Sequence, residues 1–240
     1  MPVYNEEGAI AAVLEDWVAM LATVPDAQAT IHVYNDGSRD GSARILAAVA
    51  ARHPQWIVVH NKANSGHGPT ILLGYREQRG SDWLFQIDSD GEIGPDKFPA
   101  VWGRRRSFDF LVGRRENRRA PAALRLVTMM MNLTVWLCYG RGVSDINCPF
   151  RLMRGPLVAP YLERLPADTF APNVLLSGLA SRHGWRIHQE PVLFAERTTG
   201  EVSIKKWKLL AAAVRSFGQT VAFAFSAASS RRNRESIRTP

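Results

Sequence analysis

The segment Trp83-Leu-Phe-Gln-Ile-Asp-Ser-Asp90 does most to decide the class of fold. It begins with aromatic and aliphatic residues, which are typical of a short buried strand, and it runs directly into two carboxylates one residue apart. Strands and helices alternate around it, with strands predicted at 31–34, 56–60 and 108–112 and helices at 8–24, 40–52 and 69–79. This alternation predicts an α/β fold in which helices flank a mostly parallel sheet.

Parallel strands bring their carboxyl ends to one edge of a sheet, where ligands of such folds bind. Polar residues follow the predicted strands after Tyr34, His60, Ile87 and Val112, and we expect them to converge on one site. Beyond Gly113 the alternation is lost, and the sequence predicts an arginine-rich loop, an apolar helix at 122–139, a loop at 145–151, a helix, a strand at 185–191 and a tail helix.

The composition is that of a globular protein, because 46% of the 240 residues are hydrophobic and 22% are charged. Disordered and collagen-like classes are excluded. The chain has neither an internal repeat nor a linker rich in Gly, Ser or Pro, so one continuous domain is expected.

The cysteines, Cys138 and Cys148, have no metal-ligand spacing, which favours reduced thiols in a cytosolic domain. The first residues lack the cationic and apolar regions of a signal peptide, in agreement with a cytoplasmic location.

The net charge is +8, and the excess of basic residues falls in two clusters. Seven arginines lie between 104 and 119, and the second cluster runs from Lys205 to Arg238. Such clusters attract the phosphates of nucleic acids, nucleotides or lipids, although a solvated basic face is an equally good interpretation of either one. Nucleic acid is disfavoured, because the arginines are not interleaved with aromatic residues in the manner of RNA-binding surfaces.

Two segments are apolar enough to touch a membrane. Residues 126–139 are strongly apolar but fall short of the ~20 residues that a bilayer crossing needs. Residues 205–228 predict an amphipathic helix whose apolar stripe comprises Trp207, Leu210, Val214, Phe217, Val221 and Ala224. Both segments fit a membrane-interfacial surface, and packing on the domain's own core fits them equally well.

Asp88 and Asp90 are the candidate metal ligands. Two carboxylates at the end of a strand can hold one hard cation, which clamps a diphosphate and neutralises the leaving group, and Glu92 can add a ligand directly or through water. Asp36 either accepts hydrogen bonds from a nucleoside or caps a neighbouring helix. The glycines of Asn64-Ser-Gly-His-Gly68 permit close backbone approach to a phosphate at a helix N-terminus.

Taken together, the motifs resemble family 2 glycosyltransferases, most closely the branch of dolichol-phosphate mannosyltransferases and bacterial polyprenyl-phosphate glycosyltransferases. The segments that carry the resemblance occur in the family's order and are Pro2-Val-Tyr-Asn-Glu6, Asn35-Asp-Gly-Ser-Arg-Asp-Gly41, Asn64-Ser-Gly-His-Gly68, Asp88-Ser-Asp90, Val112-Gly-Arg-Arg115, Asp145-Ile-Asn-Cys-Pro-Phe-Arg-Leu-Met153 and Arg197-Thr-Thr-Gly200. The ordered set is far more specific than any one of its members.

The resemblance implies a GT-A fold and the inverting transfer of a mannose-type or glucose-type hexose from GDP-mannose or a UDP-hexose to a polyprenyl phosphate. It implies a glycosyltransferase domain at 1–204, with a nucleotide-sugar half at 1–113 and an acceptor half at 114–204. An interfacial helix at 205–228 and a basic disordered tail at 229–240 follow. The enzyme is then expected on the cytoplasmic face of the membrane, bound peripherally.

The resemblance also assigns residues to roles. The donor-binding positions are Pro2, Tyr4, Glu6, Asp36, Gly66, Asp88, Arg197 and Ser203. Asp88, Asp90 and Glu92 match the metal and diphosphate positions, with Mg²⁺ or Mn²⁺ as the expected ion. The catalytic positions are Asp90, Arg115, Arg125, Asp145 and Arg151, among which Arg115 and Arg125 match arginines that hold the acceptor phosphate. Such an acceptor is already anionic, so it needs alignment and charge screening more than a general base.

The chain also departs from the family pattern. The family has an apolar strand immediately before Pro2-Val-Tyr-Asn-Glu6, so the first strand of the sheet is in question here. Asn35 replaces a usual Asp, Pro149 stands in the "GFR" segment, and Met129 occupies a position that often carries a hydroxyl. Two alternatives therefore stay open, namely a transferase of the same fold with a soluble or cell-envelope glycan acceptor, and a non-catalytic protein that binds anionic membranes.

Overall fold

The computed structural model describes residues 1–24, 28–116, 122–140, 142–194 and 215–224. The strands are β1 (Pro2–Val3), β2 (Ile31–Asp36), β3 (Ile57–Lys62), β4 (Trp83–Gln86), β5 (Phe110–Glu116), β6 (Arg151–Arg154) and β7 (Ile187–Leu193). The helices are α1 (Ile10–Leu21), α2 (Ser42–Arg52), α3 (His67–Glu77), α4 (Phe98–Arg104), α5 (Ala122–Tyr139), α6 (Gly155–Leu162), α7 (Pro172–Arg182) and α8 (residues 215–224). The predicted α/β alternation is confirmed.

The described strands form two sheets, in the orders β1-β2-β3 and β4-β6-β5-β7. The first sheet is parallel throughout. In the second, β5 and β7 are parallel, but β6 runs antiparallel to both β4 and β5. The predicted loop at 145–151 therefore leads into a returning strand that the periodicity did not reveal, because Arg151-Leu-Met-Arg154 has arginines at both ends of only four residues.

A short first strand is present, although the sequence left it in question. Pro2 pairs with Tyr34 and Val3 pairs with Asn35 in a parallel ladder. The Met1 ammonium continues this ladder by donating to the His32 carbonyl oxygen at 2.9 Å. β1 is thus two residues long and keeps the following loop at the carboxyl edge of β2.

The main core surrounds Trp17 of α1, which is 3% exposed. Its ring centroid lies 5.2 Å from that of Phe85 on β4 and 5.9 Å from that of Phe98 on α4. The helical spacing of Ile10, Leu14, Trp17 and Leu21 predicts this buried face, and all four side chains are buried. α1 therefore packs on both sheets, since Ile10 and Leu14 lie in a cluster with Val33 of β2, and Trp17 contacts Phe85 of β4.

Helix α8 packs on the domain through a face that only partly coincides with the predicted stripe. Ala224 of that stripe is buried, but Phe217, another member, is 46% exposed, whereas Thr220 and Phe223 outside the stripe are 1% and 6% exposed. Tyr139 Oη donates to the Thr220 carbonyl oxygen at 2.8 Å, which fixes α8 against α5. The core-packing interpretation therefore holds for residues 215–224, while the rest of the predicted 205–228 helix and the 229–240 tail lie outside the described residues.

Helix α5 has apolar residues on both its buried side and its exposed side. Val135 and Tyr139 are buried, but the opposite side carries exposed apolar residues, which are Met129, Met130, Leu133, Trp136 and Leu137, at 43% to 70% exposure. We call these five residues the α5 apolar face. Within the described part of the chain, no helix is both long and apolar enough to cross a membrane.

Candidate active site

Two loops at the carboxyl ends of β1 and β2 are bound to each other. The amide of Asn5 donates to Ser38 Oγ at 3.0 Å, and the amide of Arg39 donates back to Asn5 Oδ1 at 2.8 Å. Asn5 has a φ of 55°, in the left-handed region that Asn tolerates better than most residues. Sequence reasoning missed Asn5 and Ser38, because the two segments stand more than thirty positions apart and only the strand pairing brings them together.

The predicted donor residues Pro2, Tyr4 and Glu6 lie on the first of these loops. Pro2 is buried within the ladder, whereas Tyr4 is 40% exposed at the sheet edge. The amide of Glu6 donates to Ser42 Oγ at 2.9 Å, at the start of α2. The loop therefore presents Tyr4 outwards from a backbone that α2 holds in place.

Asp36 ends β2 and is 3% exposed. Its carboxylate accepts hydrogen bonds from Lys62 Nζ and from the amides of Ser65 and Gly66, the latter two at 2.8 and 2.9 Å. Burial opposes ionisation, but the hydrogen bonds from Lys62 and Ser65 outweigh it and hold the pKa of this carboxyl below its usual value. Asp36 is thus an ionised residue that shapes the turn before α3.

The start of α3 requires glycine at two positions, Gly66 just before the helix and Gly68 in its first turn. Gly66 has a φ of 96°, and a Cβ on Gly68 would lie 2.0 Å from the carbonyl oxygen of Phe170. α3 begins at His67, and His67 Nε2 lies 3.6 Å from Asp88 Oδ1. The structure therefore brings the predicted glycine-rich helix N-terminus next to the predicted metal ligand.

Asp88 and Asp90 follow β4, as predicted. Asp88 keeps 26% of its side chain exposed, and the amide of Glu92 donates to Asp90 Oδ1 at 3.1 Å. Among the residues that the structure describes, no three His, Cys, Asp or Glu side chains form a preassembled cation site. The oxygen donors of Asp88 and Asp90 nevertheless fit Mg²⁺ or Mn²⁺, because these ions take a few carboxylates and complete their coordination with water and phosphate oxygens.

Asp88 is oriented by a buried chain of hydrogen bonds. Gln86 Nε2 donates to Asp88 Oδ1 at 2.8 Å, and Asn173 Nδ2 on α7 donates to Gln86 Oε1 at 2.9 Å. Tyr75 Oη on α3 donates to Asn173 Oδ1 at 3.0 Å and completes the chain. A glutamine within an otherwise apolar strand was the one signal in the sequence that could have revealed this network.

Arg115 and Asp145 form a two-pronged ion pair. Arg115 Nε and Nη2 donate to Asp145 Oδ2 and Oδ1 at 2.7 and 2.8 Å, and the two side chains are only 10% and 17% exposed. Burial disfavours the charged guanidinium, but the hydrogen bonds and charge of Asp145 outweigh it and raise the pKa of Arg115. Two of the predicted catalytic residues are thus brought together, thirty positions apart in sequence.

Arg151 lies inside the core. It is 0% exposed, and its guanidinium donates to the carbonyl oxygens of Ile146, Cys148 and Asn173. These contacts fix the loop that carries Asp145 and also the backbone of Asn173. The structure therefore places Arg151 behind the site rather than on its surface.

The remaining predicted residues are not described. The side chain of Arg125, on the first half of α5, lies outside the described residues, as do Arg197 and Ser203. Cys138 and Cys148 are free thiols, as predicted, and burial raises the pKa of Cys148 to about 11.

Comparison with known proteins agrees with this geometry. Residues 1–154 match the model of the family described as "Glycosyl transferase family 2". The chain belongs to this family. The match includes the loops after β1 and β2, the Asp88 and Asp90 loop and the Arg115–Asp145 pair.

Curated relatives of this family 2 glycosyltransferase include enzymes named for undecaprenyl phosphate. One is the undecaprenyl-phosphate 4-deoxy-4-formamido-L-arabinose transferase of Pseudomonas paraeruginosa, 33% identical over 212 residues, which are 88% of this chain and 60% of the relative. Another is the undecaprenyl-phosphate mannosyltransferase of Micrococcus luteus, 26% identical over 88% of this chain and 93% of the relative. The chain therefore spans three fifths of the first relative and nearly all of the second.

Solved structures show the same GT-A fold. Glucosyl-3-phosphoglycerate synthase from Mycobacterium tuberculosis, in complex with Mn²⁺, UDP-glucose and phosphoglyceric acid, superposes with a TM-score of 0.65 at 15% identity, over 93% of this chain and 77% of that one. S. aureus TarS in complex with UDP-GlcNAc superposes with a TM-score of 0.57 at 17% identity, over all of this chain and 74% of that one. The predicted GT-A fold is confirmed.

Proposed function

We propose that the protein transfers a hexose of the mannose or glucose type from a nucleotide-sugar to a polyprenyl phosphate. The observation that carries the proposal is the junction between the α5 apolar face and the polar site. Asn132 Nδ2 on α5 donates to the Ser144 carbonyl oxygen at 3.3 Å, and the next residue, Asp145, holds Arg115. An apolar surface thus adjoins the Arg115–Asp145 ion pair. In this proposal the isoprenoid chain of the acceptor lies on the α5 apolar face, and its phosphate lies beside the Arg115 guanidinium that Asp145 orients.

We assign the donor to the carboxyl edge of β1, β2 and β4. We assign Tyr4 and Asp36, which lie at this edge, to the nucleoside, and the α3 N-terminus at Gly66 and His67 lies beside Asp88. Backbone amides at a helix N-terminus favour phosphate oxygens. The UDP-glucose in the solved synthase structure supports a nucleotide-sugar donor, for which we propose GDP-mannose or a UDP-hexose.

Asp88 and Asp90 would hold Mg²⁺ or Mn²⁺, with Glu92 contributing directly or through water. A divalent ion there supplies positive charge for the diphosphate leaving group. The Gln86–Asn173 network holds the Asp88 carboxylate in one orientation before the donor binds. This preorganisation lowers the cost of assembling the site.

In this proposal Arg115 and Arg125 bind the phosphate of the acceptor. A phosphate nucleophile is already ionised, so the protein's own task is to align it and to screen its charge. Asp145 fixes the plane of the Arg115 guanidinium, and Arg151 fixes the loop that carries Asp145 by donating to the Ile146 carbonyl oxygen. Arg151 is therefore a positioning residue. On the resemblance of their sequence segment, we assign Arg197 and Ser203 to binding of the donor diphosphate.

The membrane is the source of the acceptor. The α5 apolar face brings several large exposed side chains together on one helix, which suits the boundary between lipid headgroups and acyl chains. We place the protein on the cytoplasmic face of the membrane, bound peripherally through this face and the basic residues of 205–240.

A transfer assay tests the proposal. The purified protein is incubated with Mn²⁺, farnesyl or undecaprenyl phosphate and a panel of labelled GDP- and UDP-sugars, and labelled lipid is extracted into organic solvent. Label in the organic phase from one donor, and its absence with the Asp90→Asn variant, is expected. Label transferred only to a soluble acceptor such as phosphoglyceric acid would contradict the polyprenyl assignment.

A further inference from the structure

The connection between α6 and α7, residues 163–171, lies along α3. Arg76, near the end of α3, donates to the Leu165 carbonyl oxygen at 2.5 Å. At the start of α3, a Cβ on Gly68 would lie only 2.0 Å from the Phe170 carbonyl oxygen, so the two backbones touch there. Phe170 therefore lies at the N-terminus of α3, the segment to which we assign the donor phosphates.

Helix α8 also holds this connection. The Phe170 amide donates to Gln219 Oε1 at 2.8 Å, and Gln219 Nε2 donates back to the Asp168 carbonyl oxygen at 3.3 Å. Arg215 Nη2 forms an ion pair with Asp168 Oδ2 at 2.5 Å. Thr169, between Asp168 and Phe170, is fully buried. Contacts with two helices thus fix the backbone of Phe170.

The ring of Phe170 is accessible although its backbone is fixed. Phe170 is 39% exposed, whereas its neighbour Thr169 is 0% exposed. A ring on a fixed backbone offers apolar area to a ligand, and little conformational entropy is lost when the ligand binds. Phe170 is therefore suited to contact a bound molecule.

Two connections lead from Phe170 to the proposed metal ligand. On α3, the first residue is His67, and its Nε2 atom lies 3.6 Å from Asp88 Oδ1. On α7, Asn173 stands three positions after Phe170 and is joined to Asp88 through Gln86. The hexose of a nucleotide-sugar is bonded directly to the diphosphate. A diphosphate held at Asp88 and at the start of α3 therefore brings the hexose close to Phe170.

From these observations we infer that Phe170 is a specificity-determining residue whose ring packs against the hexose of the donor. The inference rests on the proposed function. A pyranose has apolar patches of C–H groups, whose partial positive charge favours the negative face of an aromatic ring. A hydroxyl that projects from the packed face of the sugar would separate the two rings, so this contact discriminates between hexoses by the orientation of their hydroxyls.

The test measures binding by calorimetry in the presence of Mn²⁺. UDP-glucose, GDP-mannose, UDP and GDP are titrated into the wild-type full chain and into the variants. For the nucleotide-sugar that the wild type binds, we expect Phe170→Ala to raise the Kd about tenfold and to leave the Kd of the matching nucleoside diphosphate unchanged. Phe170→Tyr keeps the ring and should retain the wild-type values. Val58→Ala, at an equally exposed apolar residue on β3, is the control.

Equal weakening of the nucleotide-sugar and of the nucleoside diphosphate by Phe170→Ala would overturn the inference, because the residue would then only position the start of α3. Unchanged affinity for both would also overturn it. If that variant cosediments more weakly with anionic vesicles, the ring contacts the membrane instead. A wild-type protein that binds no nucleotide-sugar would contradict the proposed function and this inference together, whereas the two preceding results contradict the inference alone.

Discussion

Asn173 on α7 holds Gln86 on β4 through a buried hydrogen bond of 2.9 Å, and Gln86 in turn donates to Asp88 at 2.8 Å. Both amide side chains are almost fully buried, at 4% and 3% exposure. A buried amide that has lost its partner costs about 1–3 kcal/mol, so this pair has one favoured arrangement. The orientation of the proposed metal ligand is therefore set by a helix that lies almost ninety residues further along the chain.

The first prediction concerns this network. Gln86→Met keeps the length of the side chain but removes its hydrogen bonds, and we expect about a tenfold increase in the Mn²⁺ concentration that gives half-maximal transfer. Tyr75→Phe, at the far end of the chain, should change this concentration much less. Lower stability with an unaltered Mn²⁺ dependence would show that Gln86 is only a packing residue.

The second prediction concerns the metal ligands. Asp90→Asn removes the charge of a partly exposed side chain, and we expect a loss of transfer of about a hundredfold or more with little change in Tm. Asp96→Asn, an exposed carboxylate in the same loop, is the matched control and should retain activity. Comparable activity of the two variants would remove Asp90 from the site.

The third prediction distinguishes a role of Arg115 in acceptor binding from a role in donor binding. Arg115→Lys keeps the charge but removes the planar guanidinium that donates two hydrogen bonds to Asp145. The KM for polyprenyl phosphate should therefore rise while the KM for the donor stays the same. Arg114→Lys, in an exposed neighbouring pair with Glu116, controls for surface charge. An effect confined to the donor KM would reassign Arg115 to the diphosphate.

The fourth prediction concerns pH. The unfolded chain binds a proton on the Met1 amine below pH 8.0, whereas in the folded protein the pKa of this amine is about 5. The unfolded state therefore binds more protons between these values, and the free energy of unfolding should rise as the pH increases from 5 to 8. The measurement is urea denaturation of protein whose mass confirms that Met1 is retained. Acetylation of the amine should flatten the profile, and an unchanged profile would assign the slope to other groups.

The fifth prediction concerns the α5 apolar face. Leu137 is 70% exposed, so Leu137→Asp should leave the Tm nearly unchanged and weaken cosedimentation with anionic vesicles by about tenfold. Val58→Asp is the control, because Val58 is an exposed apolar residue on β3. If the two variants bind vesicles equally well, α5 does not contact the membrane.

The order of the elements and the local chemistry can be predicted from the sequence alone. Apolar strands followed by Asp36 and by Asp88-Ser-Asp90 identify the edge of the sheet and its carboxylates, because strand propensity and hydrophobic period are local properties. Helix α5 was predicted with its observed bounds, 122–139, since a long apolar run leaves few alternatives. The ordered motifs likewise pointed to the family.

The contacts between these elements follow from the three-dimensional fold and not from any local pattern. It buried Arg151 among carbonyl oxygens, paired Arg115 with Asp145, engaged Asp36 with Lys62 and turned the apolar side of α5 outward. It also placed β6 antiparallel in its sheet. Each of these depends on contacts between residues distant in sequence, and no local pattern encodes which buried partner a charged or polar group will find.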